Sequence, residues 1–378
     1  MNPISNARIV TADDCFLGTV FVEGQLIGDV SRGSSAAANA EDWDGDYLLP
    51  GLVELHTDNL EKHLMPRPKV QWPVLPAVMA HDAQIVSAGI TTVLDAIAVG
   101  DIDTDGVRSQ MLGACVEGLQ QAADAGMLRA DHFLHIRVEL AEENLLALFA
   151  PFLHDQRLKL VSLMDHTPGQ RQWSDLSHYR TYVTGKRGWS VEKVDSMLDS
   201  LLQRQALYAA VNRQAIVACC SERKHAIPLA SHDDTTLDHV NEGIGDGVTI
   251  SEFPTTLLAA ESAKRHRLGI VMGAPNVVRG GSHSGNVSAA ELARADLLDV
   301  LSSDYVPSSL LHAAYLLQQD GFSLPKAIAT VSRNPARMIG LHDRGEIAVS
   351  LRADFIRVRM YDAIPVVVGV WKAGKKIA

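Results

Sequence analysis

Apolar and polar residues alternate in two patterns along the central part of the chain. Short apolar runs between turn residues are typical of buried strands, and they alternate with longer stretches whose apolar residues recur at helical spacing. Helices are predicted at 75–87, 106–123, 191–214 and 255–266. Eight strands joined by helices over about 290 residues predict a (β/α)8 TIM barrel. The predicted strands are 48–55, 91–97, 132–140, 159–163, 228–231, 248–251, 269–272 and 300–303.

Both ends of the chain have a different texture. Short strand-like pieces such as ARIVTA, GTVFVEG and QLIGDV stand between turns near the N-terminus, and GEIAVSLRADFIRVRM and IPVVVGVWKAGKKIA stand near the C-terminus. Because the two termini of a chain often lie close together, we predict one small β-sandwich domain from residues 1–47 and 345–378. Residues 48–344 then form the barrel, which is the catalytic domain.

Composition limits the classes of function. The 378 residues are 47% hydrophobic and carry a formal net charge of −11, which fits a large core and disfavours a nucleic-acid surface. We expect no membrane partner, because the N-terminus lacks a secretory pattern and no apolar run reaches membrane length. The four cysteines form no CxxC pair and favour a cytoplasmic protein. A homodimer is compatible with this composition.

The stretch from 48 to 63, LLPGLVELHTDNLEKH, changes abruptly from apolar to ionisable residues. A Pro-Gly turn opens it, and the apolar run ends in His56, Thr57 and Asp58. Side chains two positions apart on a strand point to the same side. His56 and Asp58 therefore face one side together, as a pair of metal ligands would. The alternative is a histidine and a carboxylate on a polar loop.

Ionisable residues recur where the other predicted strands end, which is where TIM-barrel enzymes carry catalytic groups. Imidazole and carboxylate together suit zinc, manganese or iron better than calcium. We therefore expect a divalent metal, first of all zinc, with one or two ions per chain. The residues at these strand ends are Glu139, Asp165, His166, His232, Asp233, Asp234, Glu252 and Asp304.

The arrangement resembles the amidohydrolase superfamily. Its barrel is of the metal-dependent hydrolase type and is accompanied by a split β domain. Its members have a metal motif after the first strand and an aspartate after the eighth, here Asp304. The usual first motif is His-x-His, so Asp58 is a departure, and so is the lack of a histidine after the sixth strand. The end of the chain supports the resemblance with NPA at 334–336, GL at 340–341, GEIA at 345–348 and AD at 353–354.

A more specific resemblance covers most of the barrel. Its motifs are GLVELHTDNLEKH with RPK at 67–69, MDHTPGQ at 164–170, ASHDD at 230–234, SEFPTT at 251–256, GAPN at 273–276 and SSDY at 302–305. They resemble the PhnM family of the carbon–phosphorus lyase pathway in phosphonate metabolism. The resemblance implies a phosphoanhydride hydrolase, a triphosphate diphosphatase. It would convert α-D-ribose 1-methylphosphonate 5-triphosphate to the 5-phosphate and diphosphate.

Cleavage of a phosphoanhydride by water suits a binuclear centre, since divalent metals activate water and neutralise phosphoryl charge. We expect one metal on His56, Asp58 and Asp304, and a second on His166 and His232. Glu139 is the candidate bridge, since a third-strand glutamate is a ligand in some superfamily members. The resemblance implies that Asp304 also takes the proton from water. Three alternatives stay open: Asp165 and Asp233 could orient the histidines, and His63 could replace one.

A triphosphate also needs cationic groups, which are informative in a chain of net charge −11. Arginine suits bidentate phosphate binding, and the Gly/Ser segment 280–286 could offer backbone N–H groups. Arg137 lies two residues before Glu139 and faces the barrel interior by strand alternation. The candidate substrate-binding residues are Lys62, Arg67, Lys69, Arg137, Arg171, Lys186, Arg187, Arg279 and His283.

Two other functions compete with this one. The first is a deaminase, cyclic amidase or deacetylase that cuts a C–N bond on the same scaffold. The missing sixth-strand histidine and the basic residues argue against it. The second is a non-catalytic scaffold protein, which has no need for an ionisable residue at nearly every strand end.

Overall fold

The computed structural model describes residues 2–35, 37–67, 70–100, 107–171, 184, 191–222, 226–282 and 285–378. The strands of these residues form two eight-stranded sheets. One sheet combines both ends of the chain, and the other comes from its central part. The strands of both sheets coincide with apolar runs, so the sequence pattern predicted their approximate positions.

The first sheet joins the N-terminal and C-terminal strands. Its strand order is β16-β15-β14-β5-β1-β2-β3, with β4 paired to β1. The two ends meet where β14 pairs antiparallel with β5, with Phe355 opposite Pro50. This confirms the predicted small β domain from both termini. The strands are β1 (Ile4–Val10), β2 (Cys15–Glu23), β3 (Leu26–Arg32), β4 (Glu41–Asp42), β5 (Tyr47–Pro50), β14 (Phe355–Tyr361), β15 (Ile364–Lys372) and β16 (Lys375–Lys376).

An aromatic cluster forms the core of this sheet. Trp43 and Phe355 are fully buried. The ring of Phe355 stacks on that of Trp371 with 5.1 Å between centroids, and Trp43 lies 5.3 Å from Trp371. Since aromatic side chains bury large apolar areas, these three residues connect strands of the C-terminal end with the segment that follows β4.

The second sheet is the predicted TIM barrel. Its strands neighbour one another in chain order from β6 to β13, and Thr57 and Asp304 form a parallel bridge between the first and last strands. All eight strands overlap the predicted ones. They are β6 (Leu52–Thr57), β7 (Ile90–Val99), β8 (Asp131–Glu139), β9 (Leu158–Met164), β10 (Leu229–His232), β11 (Ile250–Glu252), β12 (Gly269–Gly273) and β13 (Val300–Ser302).

The predicted first strand, 48–55, is divided at Gly51. Residues Tyr47–Pro50 belong to the small sheet and Leu52–Thr57 to the barrel. A Cβ atom at residue 51 would lie 2.4 Å from the hydroxyl of Thr91, so only glycine fits this close approach. An uninterrupted apolar run therefore serves two sheets.

The helices follow the predicted pattern, with one difference at 191–214, where a π-helical turn (Gln205–Ala209) separates two α-helices. Within the described ranges, every helix is too short or too polar to span a bilayer. They are α1 (Asn59–Leu64), α2 (Val74–Ser87), α3 (Val107–Asp124), α4 (Leu145–Phe149), α5 (Val191–Arg204), α6 (Ala210–Ser221), α7 (Leu237–Gly245), α8 (Leu257–Arg265), α9 (Ala274–Arg279), α10 (Ala289–Arg294), α11 (Ser309–Gln319), α12 (Leu324–Ala329) and α13 (Arg333–Met338), with a 3-10 turn at Ala150–Phe152.

The chain divides into two compact units. Unit 1 consists of Met1–Asp95, Glu117–Phe133 and Met272–Ala378, and unit 2 of Ala96–Val116 and Leu134–Val271. Unit 1 contains the small sheet together with β6 and β13, and unit 2 contains β9, β10 and β11. The ionisable residues at the strand ends therefore fall into two groups, one in each unit.

Candidate active site

Three residues within two positions of the ends of barrel strands have left-handed backbone conformations. The φ angles are 56° at Asp233, 56° at Phe253 and 53° at Asp304. The amide of Asp233 donates to the carbonyl of Glu252 at 2.9 Å, and that of Asp304 donates to the carbonyl of His56 at 3.0 Å. Non-glycine residues rarely adopt this conformation, and it concentrates at functional sites. It turns the chain sharply where each strand ends.

The first cluster, in unit 1, consists of His56, Asp58 and Asp304. The carbonyl of Asp304 accepts hydrogen bonds from the amide of Asp58 at 3.2 Å and from the hydroxyl of Thr57 at 2.8 Å. Together with the hydrogen bond from the amide of Asp304 to the carbonyl of His56, these bonds bring the backbones of the three residues together where the barrel closes. One oxygen of Asp58, Oδ1, is buried without a hydrogen-bond partner among the described residues. An unsatisfied carboxylate oxygen fits a bound cation.

Glu54 supports this cluster through hydrogen bonds to its backbone. The sequence did not predict it as a site residue. Its carboxylate accepts hydrogen bonds from the amide of His56 and the amide of Ser303, both at 2.7 Å. It thereby joins β6 to β13. Complete burial raises the pKa of Glu54 to about 7 against the effect of these bonds. The position of this glutamate inside the apolar run LVELH is the sequence feature that could have indicated its role.

The second cluster, in unit 2, consists of His166, His232 and Asp233. The two imidazole rings lie 5.5 Å apart, and their Nε2 atoms lie 4.0 and 3.7 Å from Oδ2 of Asp233. That oxygen is buried and has no hydrogen-bond partner in the described part of the chain. One atom from each residue lies within 4.8 Å of the others. Two imidazoles and a carboxylate are a donor set that zinc, manganese or iron accepts.

A carboxylate lies behind each histidine of the second cluster. Nδ1 of His166 is 2.8 Å from Glu139, whose other oxygen accepts the backbone amide of His166 at 3.1 Å. Nδ1 of His232 is 2.9 Å from Glu252. Such partners orient metal-binding histidines and fix their tautomer. The geometry therefore favours an orienting role for Glu139 over a bridging one, and it places Asp233, rather than Glu139, at the Nε2 atoms.

The charge around His166 agrees with a cation site. Burial by itself would lower the pKa of His166, but the negative charge and hydrogen bond of Glu139 and the charge of Asp233 outweigh burial and raise this pKa. Asp165 has other partners than the two histidines in the described part of the chain. It accepts hydrogen bonds from the amide of Thr167 at 3.0 Å and from Gln205 at 3.2 Å.

The predicted basic residues have different surroundings. Arg137 is buried, and its Nε has no hydrogen-bond partner among the described residues. Lys62 donates to the carbonyl of Tyr305, next to Asp304. Arg67 and Arg279 are exposed. Four predicted residues lie outside the described residues: Lys69, Lys186, Arg187 and His283.

Arg171 and His63 are engaged elsewhere. The guanidinium of Arg171 is buried, donates to the carbonyl of His232 at 2.9 Å, and pairs with Asp234. This favours a structural role at the end of β10. Nε2 of His63 lies 2.9 Å from the side-chain oxygen of Gln84 on α2.

A family comparison decides the wider assignment. Residues 47–377 match the amidohydrolase family. The chain belongs to that family. Amidohydrolases generally bind a divalent metal, and the second cluster offers a suitable set of donors. The family match covers the barrel together with the C-terminal strands of the small sheet.

A narrower family follows from a characterised relative. The chain is 44% identical over 377 residues to the alpha-D-ribose 1-methylphosphonate 5-triphosphate diphosphatase of Escherichia coli strain K12, and the match covers 99% of both chains. This amidohydrolase therefore belongs to the diphosphatase family that the motifs predicted. The relative is a triphosphate diphosphatase, which is a phosphoanhydride hydrolase.

Solved structures show the same fold at low sequence identity. N-acetyl-D-glucosamine-6-phosphate deacetylase from Mycobacterium smegmatis is similar with a TM-score of 0.63 and 15% identity, and the match covers 100% of both chains. 5-methylcytosine deaminase from Klebsiella pneumoniae is similar with a TM-score of 0.59 and 16% identity over 100% of this chain and 98% of that one. These likenesses support the amidohydrolase fold alone.

Proposed function

We propose that the chain hydrolyses α-D-ribose 1-methylphosphonate 5-triphosphate to α-D-ribose 1-methylphosphonate 5-phosphate and diphosphate. The observation that carries this is the full-length identity of 44% to the E. coli diphosphatase. The residues of the two clusters come from four of the motifs that predicted this activity: GLVELHTDNLEKH, MDHTPGQ, ASHDD and SSDY. The reaction would serve phosphonate catabolism in the carbon–phosphorus lyase pathway. The four cysteines, all of them described, form no disulfide, which fits a cytoplasmic enzyme.

The two clusters hold the metal in this proposal. His56, Asp58 and Asp304 hold one ion, and His166 and His232 with Asp233 hold another. Zinc is the first candidate, and manganese or iron is compatible with the same donors. When bound, such an ion lowers the pKa of water and offsets charge on phosphoryl oxygens. The buried oxygens of Asp58 and Asp233 that lack hydrogen-bond partners among the described residues are the atoms that support this assignment.

The residues of this chain orient the metal-binding side chains and accept the proton of the attacking water. Asp304 takes the proton of the attacking water, and its backbone is fixed to β6 through His56, Thr57 and Asp58. The carboxylate of Glu139 orients the ring of His166. Because these bonds exist before substrate binds, little rearrangement is needed during the reaction.

Arg137 is the strongest candidate for a phosphate contact among the described residues. It is buried on β8, two residues before Glu139, whose carboxylate bonds the ring of His166. A buried guanidinium nitrogen without a partner is unfavourable unless a ligand completes its hydrogen bonds. Lys62 adds a positive charge beside Tyr305 in unit 1. Both residues were predicted as phosphate-binding from the sequence.

The alternative is a C–N hydrolase of the amidohydrolase type, and it is not favoured. The deacetylase and deaminase likenesses are at 15% and 16% identity, which concerns fold. Fold alone does not define the reaction. The diphosphatase relative instead matches nearly the whole chain.

Metal-dependent turnover tests the proposal. Protein stripped with a chelator is assayed on the triphosphate before and after addition of zinc or manganese, and metal content is measured on the same samples. We expect activity to return with the metal and to be lost in Asp304→Asn. Asp320→Asn, an exposed aspartate that pairs with Arg294, is the matched control and keeps full activity. Hydrolysis of amide or amidine substrates instead of the triphosphate would favour the alternative.

A further inference from the structure

A network of hydrogen bonds leads from His135 to His232 in the interior of unit 2. Nε2 of His135 lies 2.5 Å from the hydroxyl of Ser162, and that hydroxyl donates to Oε2 of Glu252 at 2.8 Å. The same carboxylate oxygen lies 2.9 Å from Nδ1 of His232. All four residues are at least 95% buried. We call them the interior network.

The hydrogen bonds of the interior network have one direction. An ionised carboxylate only accepts hydrogen bonds, and a serine hydroxyl has one hydrogen to give. Since Ser162 gives its hydrogen to Glu252, it must accept from Nε2 of His135. Nδ1 of His232 must carry a hydrogen to bond Glu252. A neutral His232 therefore presents a bare Nε2, the atom that faces Asp233 at 3.7 Å.

We propose that His135, Ser162 and Glu252 are positioning residues that hold His232 in the Nδ1–H tautomer and thereby raise the affinity of the second cluster for its metal. This inference rests on the proposed function, in which Nε2 of His232 binds the metal. The hydrogen bond made by one ring nitrogen decides which state the other nitrogen adopts. A histidine without Glu252 would distribute its proton between both nitrogens.

The position of the network in the fold supports this role. His135, Ser162, His232 and Glu252 lie on β8, β9, β10 and β11, which are consecutive strands. Glu252 occupies the end of the sixth barrel strand, where the usual superfamily pattern has a histidine. A carboxylate at this position accepts from His232 and from Ser162 at once. The unusual residue of the sixth strand thus has a physical role in this chain.

The first test is the tautomer of His232 in metal-free protein, measured by NMR with ¹⁵N-labelled histidine. We expect the Nδ1–H form in the wild-type protein and a mixture or the Nε2–H form in Glu252→Ala. An unchanged tautomer in that variant overturns the proposal. Ser162→Ala removes only one hydrogen bond and less side-chain volume than Glu252→Ala. If Glu252→Ala does not fold, Ser162→Ala gives the same test, with a smaller expected change in the tautomer ratio of His232.

The second test is zinc affinity, measured by competition with a chromophoric chelator. We expect Glu252→Gln to weaken zinc binding by about 10- to 100-fold and Ser162→Ala to weaken it less. Ser262→Ala, which changes a buried serine on α8, is the matched control and leaves affinity unchanged. Affinity that follows thermal stability across all three variants, without a specific loss in Glu252→Gln, overturns the positioning role.

The two tests separate this inference from the proposed function. If the wild-type protein binds no zinc, the proposed metal site fails, and the tautomer experiment still decides whether Glu252 controls His232. If zinc binds and shifts the ring nitrogens of His135 as strongly as those of His232, His135 is itself a ligand, which overturns the proposal. A shift confined to His232 and His166 supports it.

Discussion

The hydroxyl of Thr57 donates a hydrogen bond to the carbonyl of Asp304 over 2.8 Å. The two residues are 247 positions apart in the chain, and they join the first and last barrel strands. Thr57 stands between His56 and Asp58, so this bond holds the backbone of three candidate site residues. One buried side chain thus contributes to barrel closure and to the arrangement of the first cluster.

Thr57→Val should therefore lower stability and activity together. Valine has nearly the same shape but no hydroxyl, so the carbonyl of Asp304 loses a buried partner at a cost of about 1–3 kcal/mol. Urea unfolding and triphosphate turnover measure the two effects. Thr57→Ser keeps the hydroxyl and should lose less of both. Equal stability and activity in Thr57→Val and the wild-type protein would contradict the role given to this bond.

Arg137→Lys should impair substrate binding without loss of stability. A lysine cannot reproduce bidentate phosphate contacts, so we expect kcat/KM to fall by about 10- to 100-fold, a loss of about 1.5–3 kcal/mol in transition-state stabilisation. The Nε of Arg137 is buried and has no hydrogen-bond partner within the described ranges, so removal of this guanidinium should leave the free energy of unfolding unchanged or increase it. Steady-state kinetics and urea unfolding check both parts.

Arg171→Lys is the matched comparison and should behave in the opposite way. Arg171 is buried and bonds the carbonyl of His232, Asp234 and Glu242. Loss of this fork should lower the free energy of unfolding by about 2–4 kcal/mol, since it leaves buried acceptors without partners. A rise in KM for the triphosphate with unchanged stability would instead assign Arg171 to substrate binding, as the sequence suggested.

A buried charged group in unit 1 predicts a pH dependence of stability. His132 lies with Nδ1 at 2.8 Å from Asp95 and Nε2 at 3.4 Å from Asp82. Asp95 also bonds Nε2 of His81 at 2.7 Å, and the amide of Asn59 lies 3.0 Å from Nδ1 of that ring. The ring nitrogens of both histidines thus have partners, so we describe the group as an ion-pair network and not as a metal site.

Burial would lower the pKa of His132, but Asp95 and Asp82 outweigh it and raise the pKa from 6.5 to about 9. A raised pKa in the folded state means that protonation stabilises the fold. The contribution, on the order of 3 kcal/mol, is fully present below about pH 6.5 and is lost as the pH rises through about 9.

The wild-type protein should therefore exceed His132→Gln in free energy of unfolding by the largest amount near pH 6, and the difference should shrink by pH 9.5. Urea unfolding at a series of pH values measures it. His154→Gln, at an exposed position, is the control and should show no such trend. A constant difference between the wild-type protein and His132→Gln across this range would contradict the charged state assigned to His132.

The sequence predicted the barrel because each strand is an apolar run bounded by turns, a pattern that burial imposes locally. It placed His56, Asp58, His166, His232 and Asp304 at strand ends for the same reason. It did not separate β5 from β6, since the division at Gly51 arises from contact with a residue of another strand. The π-helical turn at Gln205–Ala209 also has no local signal in the apolar pattern.

The finer assignment within the site depends on side-chain contacts between strands. Sequence spacing cannot tell whether Glu139 faces a metal or the ring of His166, because both require the same inward position on β8. The pairing of Glu252 with His232 requires the register of two strands. Asp233 could have been favoured as a ligand from the motif ASHDD, but its left-handed φ of 56° directs its side chain in a way that spacing does not reveal.

Phosphorus NMR of the reaction with α-D-ribose 1-methylphosphonate 5-triphosphate shows directly which phosphoanhydride bond the protein cleaves. With zinc- or manganese-loaded protein, we expect diphosphate and the 5-phosphate to appear together in equal amounts, and we expect neither with Asp304→Asn. Stepwise release of orthophosphate would contradict the bond assigned to the reaction. An unchanged phosphorus spectrum with the metal-loaded wild-type protein would contradict the diphosphatase function.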